Sequence, residues 1–333
     1  MNSCLAHSLV MLACVGAIAA QEQATTLAEA CRRADAIAVV EVVAATDPSP
    51  DWHRLVLRVD ERLAGTIPSQ ISVLEPAGAC CGRSLFALAV GDRRLVFLTR
   101  AGNGWHPFGG DRGVLPVENE LVTHVRALLA SDDAAARSRL LARALVDRNP
   151  RIARDAALAL AASGNLDLGP VEDAAVATAL REAVDAGHTT TPSLLDIALR
   201  RGTPALLEAT FAAYLAAPRD DQAAGLRIGL ARHAPEAAAA AAVAQSASDD
   251  ARTQIRVAEL VAALPADAAA APLRALLTSR SHPRAQLHLV EAMLAAGHRE
   301  ATLAGLVPAP VLRLANQRRA GGTKWRNVGG GSR

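Results

Sequence analysis

The sequence predicts a multidomain α+β chain: a small antiparallel β domain followed by an all-α solenoid of helix pairs. Before Glu118, five or more stretches of strand character fall within a hundred residues, the density of a small barrel or sandwich. After it the pattern becomes continuous Ala/Leu/Arg helical periodicity, punctuated at intervals of 30 to 38 residues, a spacing that fits one helix pair per repeat. The length, 333 residues, allows for roughly two average domains. The expected order is a signal peptide at 1–20, a β domain at 21–117, a solenoid at 118–315 and a disordered basic tail at 316–333.

The first twenty residues, MNSCLAHSLVMLACVGAIAA, contain no acid, Lys or Arg, and their apolar run ends in small residues before Gln21-Glu22-Gln23. That is the form of a secretory signal peptide cleaved after Ala19 or Ala20. The stretch is short for a membrane span and lacks basic flanks. The expected location is therefore the periplasm or the medium, with no transmembrane segment in the mature chain. Export changes how cysteines are read: Cys31, Cys80 and Cys81 remain, and an oxidising compartment favours one disulfide from Cys31 to Cys80 or Cys81.

The β domain opens with Thr26-Leu27-Ala28-Glu29, a capping-box spacing that starts a short helix ending near Arg33. Ala36 to Ala45 is rich in β-branched residues and reads as a strand. Trp52 to Leu63 alternates, placing Leu55, Leu57 and Val59 on one face and Arg54, Arg58 and Asp60 on the other. Ile71–Leu74, Leu85–Val90 and Arg94–Thr99 continue the series, with short pieces at Trp105–Phe108 and Val114–Val117. Five of the eight aromatic residues lie in this domain. Trp52, Phe86, Phe97 and Phe108 are expected to form its core, leaving Trp105 as a contact residue on a loop.

Residues Ala30-Cys31-Arg32-Arg33-Ala34-Asp35 leading into AIAVVEVV, the strand RLVLRVDERLAG, and Cys81-Gly82 before VGDRRLVFLTR resemble the netrin-like module, an OB-type barrel shared with tissue inhibitors of metalloproteases. The resemblance covers about residues 27–117. It implies an OB-like barrel and a bridge between Cys31 and Cys81. Those inhibitors act through a cysteine at the mature N-terminus, whereas cleavage here would expose Ala20 or Gln21.

In the helical region, Asn149-Pro150 is followed by Gly164, and His282-Pro283 by Gly297 at the same distance. Ile152, Ala156 and Leu160, and then Leu287, Val290 and Leu294, supply apolar stripes at helical spacing. Proline fits the first helical turn and glycine the left-handed cap, so each stretch is expected to be one punctuated helix. Gly202, Pro235 and Pro265 mark further stops. DRNPRIARDAALALAASGN, from Asp147, resembles the HEAT-like family of helical repeats, with Asp147, Pro150, Arg154 and Ala156-Ala157 at the favoured positions. That resemblance covers residues 118–315 and implies an extended binding surface. The alanine run 237–244 lacks large core side chains and is expected to be its weakest part.

Catalytic chemistry is not legible. The sequence contains no HExxH, GxSxG, phosphate-loop or dinucleotide glycine pattern, so no enzyme activity, cofactor or metal is expected. Asp132-Asp133, Asp220-Asp221 and Asp249-Asp250 fall where carboxylates cap helix starts. His282, His288 and His298 are not spaced to share one helical face at adjacent turns. Aromatic residues are 2% of the chain, which disfavours base-stacking platforms and enclosed substrate pockets. Six of the 35 basic residues follow Glu300, the last acid, so the body carries 29 basic against 33 acidic residues. Nucleic acid is therefore not an expected partner.

The expected function is non-catalytic: protein binding or scaffolding outside the cytoplasm, through a helical-repeat surface. With the apolar stripes committed to the core, contacts should come from Arg151, Arg227, Arg252, Arg256 and Arg284, with Asp155 and His288, as a shallow positive ridge for an acidic protein segment or anionic polymer. The alternative is a protease inhibitor or enzyme accessory protein acting through the β domain.

Overall fold

The computed structural model describes residues 25–49, 52–76, 88–102, 104–278, 283–295, 300–304 and 307–321. The expected signal peptide, Cys80, Cys81, Phe86, His282, Gly297, His298 and most of the basic tail lie outside them. The chain is α+β and divides into two compact units between Asn165 and Leu166.

The first unit begins with helix α1 (Leu27–Arg33). Thr26 Oγ1 accepts the Glu29 amide at 3.2 Å, and the Glu29 carboxylate turns instead to Arg33 at 2.8 Å. Among the described residues six antiparallel strands follow: β1 (Ala36–Ser49), β2 (Trp52–Gly65), β3 (Gln70–Pro76), β4 (Arg93–Ala101), β5 (Gly104–Pro107) and β6 (Val114–Pro116). Their order is β3-β2-β1-β4-β5, with β6 on β4. Strands β3 and β5 also lie against one another, so the sheet nearly closes in the adjacency of an OB-type Greek-key barrel.

Burial explains the sequence pattern of each strand. Leu55 and Leu57 of β2 face the interior while Arg54, Arg58 and Asp60 are exposed, hence the alternation. In β1 the run is continuous because both faces are covered. Ala36, Ala38, Val40 and Val42 join the barrel core with Val96 and Leu98 of β4, while Ile37, Val39, Leu95 and Phe97 are buried on the opposite face. Helix α1 packs against β4.

Helices α2 (Asn119–Leu129), α3 (Ala134–Ala144) and α4 (Pro150–Ala161) complete this unit, with α2 and α4 both packed on α1. Ile152, Ala156 and Leu160 of α4 are fully buried and Arg151 is exposed, as the helical stripe requires. Asn149 caps the helix from its side chain and Pro150 occupies the first turn. Two expectations are corrected. Gly164 is not the left-handed cap of α4: the helix ends at Ala161 and Ala162 caps it in right-handed geometry. The described end of the Leu85–Val90 stretch, residues 88–90, forms no strand, because Val90 and Gly91 make the turn into β4.

The second unit is a stack of helices: α5 (Pro170–Ala186), α6 (Thr191–Arg201), α7 (Pro204–Ala216), α8 (Asp220–His233), α9 (Pro235–Gln245), α10 (Ala251–Ala263), α11 (Ala266–Thr278), α12 (Pro283–Ala295), the single turn α13 (Glu300–Leu303) and α14 (Ala309–Gly321). From α5 to α11 each helix packs on its successor, and from α5 to α10 also on the helix after that, giving two rows. One row is α5-α7-α9-α11 and the other α6-α8-α10-α12-α14. This is the contact pattern of an α-solenoid, in which each hairpin buries its apolar face on its neighbours. Gly202 is a left-handed cap, at φ 59°, where α6 stops. The alanine-rich α9 buries only Ala238 and Ala242.

Candidate binding groove

In the second row, α10 and α12 lie side by side, and their sequences bring like residues to like positions. Arg252 and Arg284 sit thirty-two residues apart, each in the first turn of its helix. One turn later Ile255 and Arg256 are matched by Leu287 and His288 at the same separation. These residues line an open groove of about 710 Å³, joined by Arg318 of α14 and by the carboxylates of Asp220 and Glu259.

Arg256 forms the floor. Its side chain is 8% exposed, with Nη2 2.7 Å from Asp220 Oδ1 and Nη1 3.2 Å from Glu259 Oε2. Burial alone would lower its pKa, but the hydrogen bonds it donates to the Asp220 and Glu259 carboxylates raise it above the ordinary guanidinium value. The Tyr214 hydroxyl of α7 donates to the Arg256 carbonyl at 2.5 Å. Burial, then Glu259, pushes that phenol above its ordinary pKa, so it stays a donor. Around this floor, Arg252 is exposed and its Nη2 donates to the Ala217 carbonyl at 2.5 Å. Glu291 stands 3.9 Å from His288 Nδ1 and 3.6 Å from Arg318 Nη1. Four arginines thus share the lining with two carboxylates, over an apolar base of Ile255 and Leu287.

Of the residues expected to bind a partner, Arg252, Arg256 and Arg284 meet here, with His288. Arg227 stands beside the groove, 3.5 Å from Glu259. Arg256 was expected to project from a ridge; it is instead buried, because Asp220 and Glu259 hold its guanidinium against the helices. Arg151 belongs to the first unit and pairs at 3.7 Å with Asp155. Asp155 is itself buried rather than ridge-forming, and its Oδ2 has no hydrogen-bond partner among the described residues. Burial raises its pKa against the pull of Arg151, Arg154 and the Leu27 amide.

Trp105 is a further correction. It lies in β5, is 8% exposed and belongs to the barrel core, with the Arg100 guanidinium 5.2 Å from its ring centroid. Pairing of β5 with β4 turns it inward. Phe108, placed in the core by sequence, is half-buried beneath Arg33.

Asp220, Glu259 and Arg318 were not anticipated as groove residues. One signal was present: Asp220 precedes Arg252 by the same thirty-two residues that separate Arg252 from Arg284. Two of the acid pairs cap helix starts, with Asp133 accepting the Ala136 amide at 2.5 Å and Asp250 the Thr253 amide at 2.7 Å, whereas Asp220-Asp221 lies in the first turn of α8 without capping it.

A second cleft, about 600 Å³, opens among α1, α3 and α4 and carries Glu29, Arg32 and Arg137. Nearby Cys31 is half-buried and has no disulfide partner among the described residues; burial pushes its thiol pKa up to about 12 despite Arg137. Its expected partners, Cys81 or Cys80, lie outside the described residues. Among the described residues no three His, Cys, Asp or Glu side chains are grouped to hold a metal, and no helix is long and apolar enough to cross a membrane. Compared with family models, curated proteins and solved structures, the chain finds no match.

Proposed function

We propose that this is a non-catalytic binding or scaffold protein that works outside the cytoplasm and holds an acidic segment of a partner protein in the groove of the second unit. The observation that carries the reading is the convergence of Arg252, Arg256, Arg284 and Arg318 on one open surface spanning successive helices of a row. Repeated helices present equivalent side chains at regular intervals, so moderate contacts add along an extended ligand, and arginine clusters are a recurrent means of reading acidic motifs. The two-row stack supports HEAT-like repeats for the second unit, and the strand adjacency supports a netrin-like module in the first. The location rests on the apolar segment at 1–20. The alternative, protease inhibition through the β domain, loses its exposed aromatic because Trp105 is in the core.

The test is fluorescence anisotropy of labelled octa-glutamate and octa-glutamine against the full chain at low and high salt. Octa-glutamate should bind more tightly than octa-glutamine, with affinity falling as salt rises. The double variant Arg252→Glu, Arg284→Glu should lose that preference. Equal binding of both peptides, or full binding by the double variant, would remove the groove as the site.

A further inference from the structure

We infer that Asp220 is a built-in competitor for the groove's ligand, and that an acidic peptide binds by placing one of its own carboxylates on Arg256 in Asp220's stead. This rests on the reading of the groove just given. The two carboxylates on Arg256 are unlike. Glu259 is on the same helix and 21% exposed, a fixed counter-ion at 3.2 Å. Asp220 comes from the start of α8, and its side chain is 96% exposed even while it accepts from Nη2 at 2.7 Å. A carboxylate so exposed has kept most of its water, gains little from a solvent-screened pair, and gives up rotamer freedom to make it. It can therefore swing away at small cost. The guanidinium it leaves is 8% exposed and cannot follow it into solvent. Arg256 would then present an open Nη2 edge at the floor of a groove rimmed by Arg252 and Arg284.

The occupant's chemistry follows from what already sits there. The position accepts a carboxylate on a short side chain, so the chain's own Asp220 stands in for the ligand's Asp or Glu. Neighbouring packed helices are about 8–10 Å apart, and an extended peptide advances about 3.3 Å per residue. Acidic side chains two or three residues apart would reach the floor arginine on α10 and Arg284 on α12 together. An acidic run is thus favoured over a lone carboxylate.

The experiment compares the full-length wild type, Asp220→Ala and Asp221→Ala by anisotropy with labelled octa-glutamate. Asp221 shares the first turn of α8, is 76% exposed and pairs with Arg219 rather than Arg256. Its removal makes the same change in net charge and in the helix N-terminus. Asp220→Ala should tighten binding by about 3- to 10-fold, while Asp221→Ala stays within about twofold. Equal gains in the two variants would mean general electrostatics and overturn the competitor role, as would weaker binding by Asp220→Ala. Labelled oligothymidylate gaining as much from Asp220→Ala would overturn the acidic-peptide assignment in favour of a phosphate polymer. Failure of octa-glutamate to bind any of the three proteins would defeat the underlying reading of the groove instead.

Discussion

Arg256 Nη2 stands 2.7 Å from Asp220 Oδ1, although the arginine side chain is 8% exposed and the aspartate 96%. The pair joins the interior of α10 to the first turn of α8, and its two ends live in different dielectric surroundings. Removing Arg256 returns the Asp220 carboxylate to water it has scarcely left but takes from the less exposed Glu259 its closest cation, whereas removing Asp220 leaves the buried guanidinium with Glu259 alone.

That asymmetry predicts unequal stabilities. Arg256→Met should cost about 1 to 3 kcal/mol, since Glu259 loses its closest cation and the packing beside Tyr214 is rebuilt. Arg284→Ala, at the exposed rim, should stay within about 0.5 kcal/mol. Urea denaturation of both variants would measure the difference. Equal effects would mean that Arg256 is not the structural floor of the groove.

The stripe on α4 gives a prediction for the first unit. Leu160 is fully buried and Arg151 is exposed, so Leu160→Ala should cost about 2 to 5 kcal/mol and Arg151→Ala about 0.5 kcal/mol or less. Chemical denaturation followed by circular dichroism would separate them, and similar costs would place the wrong face inward.

What the sequence disclosed was local. The helix start at Asn149-Pro150, the stops at Gly202 and Pro235 and the alternation in β2 depend on residues within a turn or two, and each is present. What it concealed depends on distant partners. Trp105 is buried because β5 pairs with β4 and faces the barrel core. Arg256 is buried because Asp220, on a different helix, meets it. Composition changes near Glu118, yet the contacts divide at Asn165, because α1, from the start of the chain, packs on α2 and α4. No periodicity within one element announces such a contact. The groove was half legible: Arg252, Arg256 and Arg284 could be picked out as helix residues, but Arg318 and Glu259 could not, and Asp220 showed only in its thirty-two-residue spacing from Arg252.

Cys31 should be a slow thiol in the fully reduced protein. Burial pushes its pKa from an ordinary 9.0 up to about 12, so little thiolate exists near neutral pH, and thiolate is the reactive form. Alkylation at Cys31, followed by peptide mass mapping, should run at least about ten times slower in the folded protein than in urea. Equal rates would show that α1 opens freely.

Asp155 predicts a pH dependence with a definite sign. Burial, opposed by Arg151, Arg154 and the Leu27 amide, raises its pKa above the ordinary 3.8. The folded chain then holds this proton more tightly than the unfolded chain. In the window between 3.8 and the raised value the native state binds more protons, and this residue's contribution to stability falls as pH rises. Carboxylates with lowered pKa, such as Asp250 with its Thr253 hydrogen bonds, act in the opposite direction, so the wild-type curve alone is not diagnostic. Asp155→Asn removes only the one titration. The stability of the variant minus that of the wild type should therefore grow as pH rises from about 4 and become flat above the raised pKa. Denaturant titrations of both proteins across that range would measure it. A difference that stays constant throughout would mean that Asp155 titrates alike in the folded and unfolded chain, and that its unpartnered Oδ2 is solvated through motion of α1.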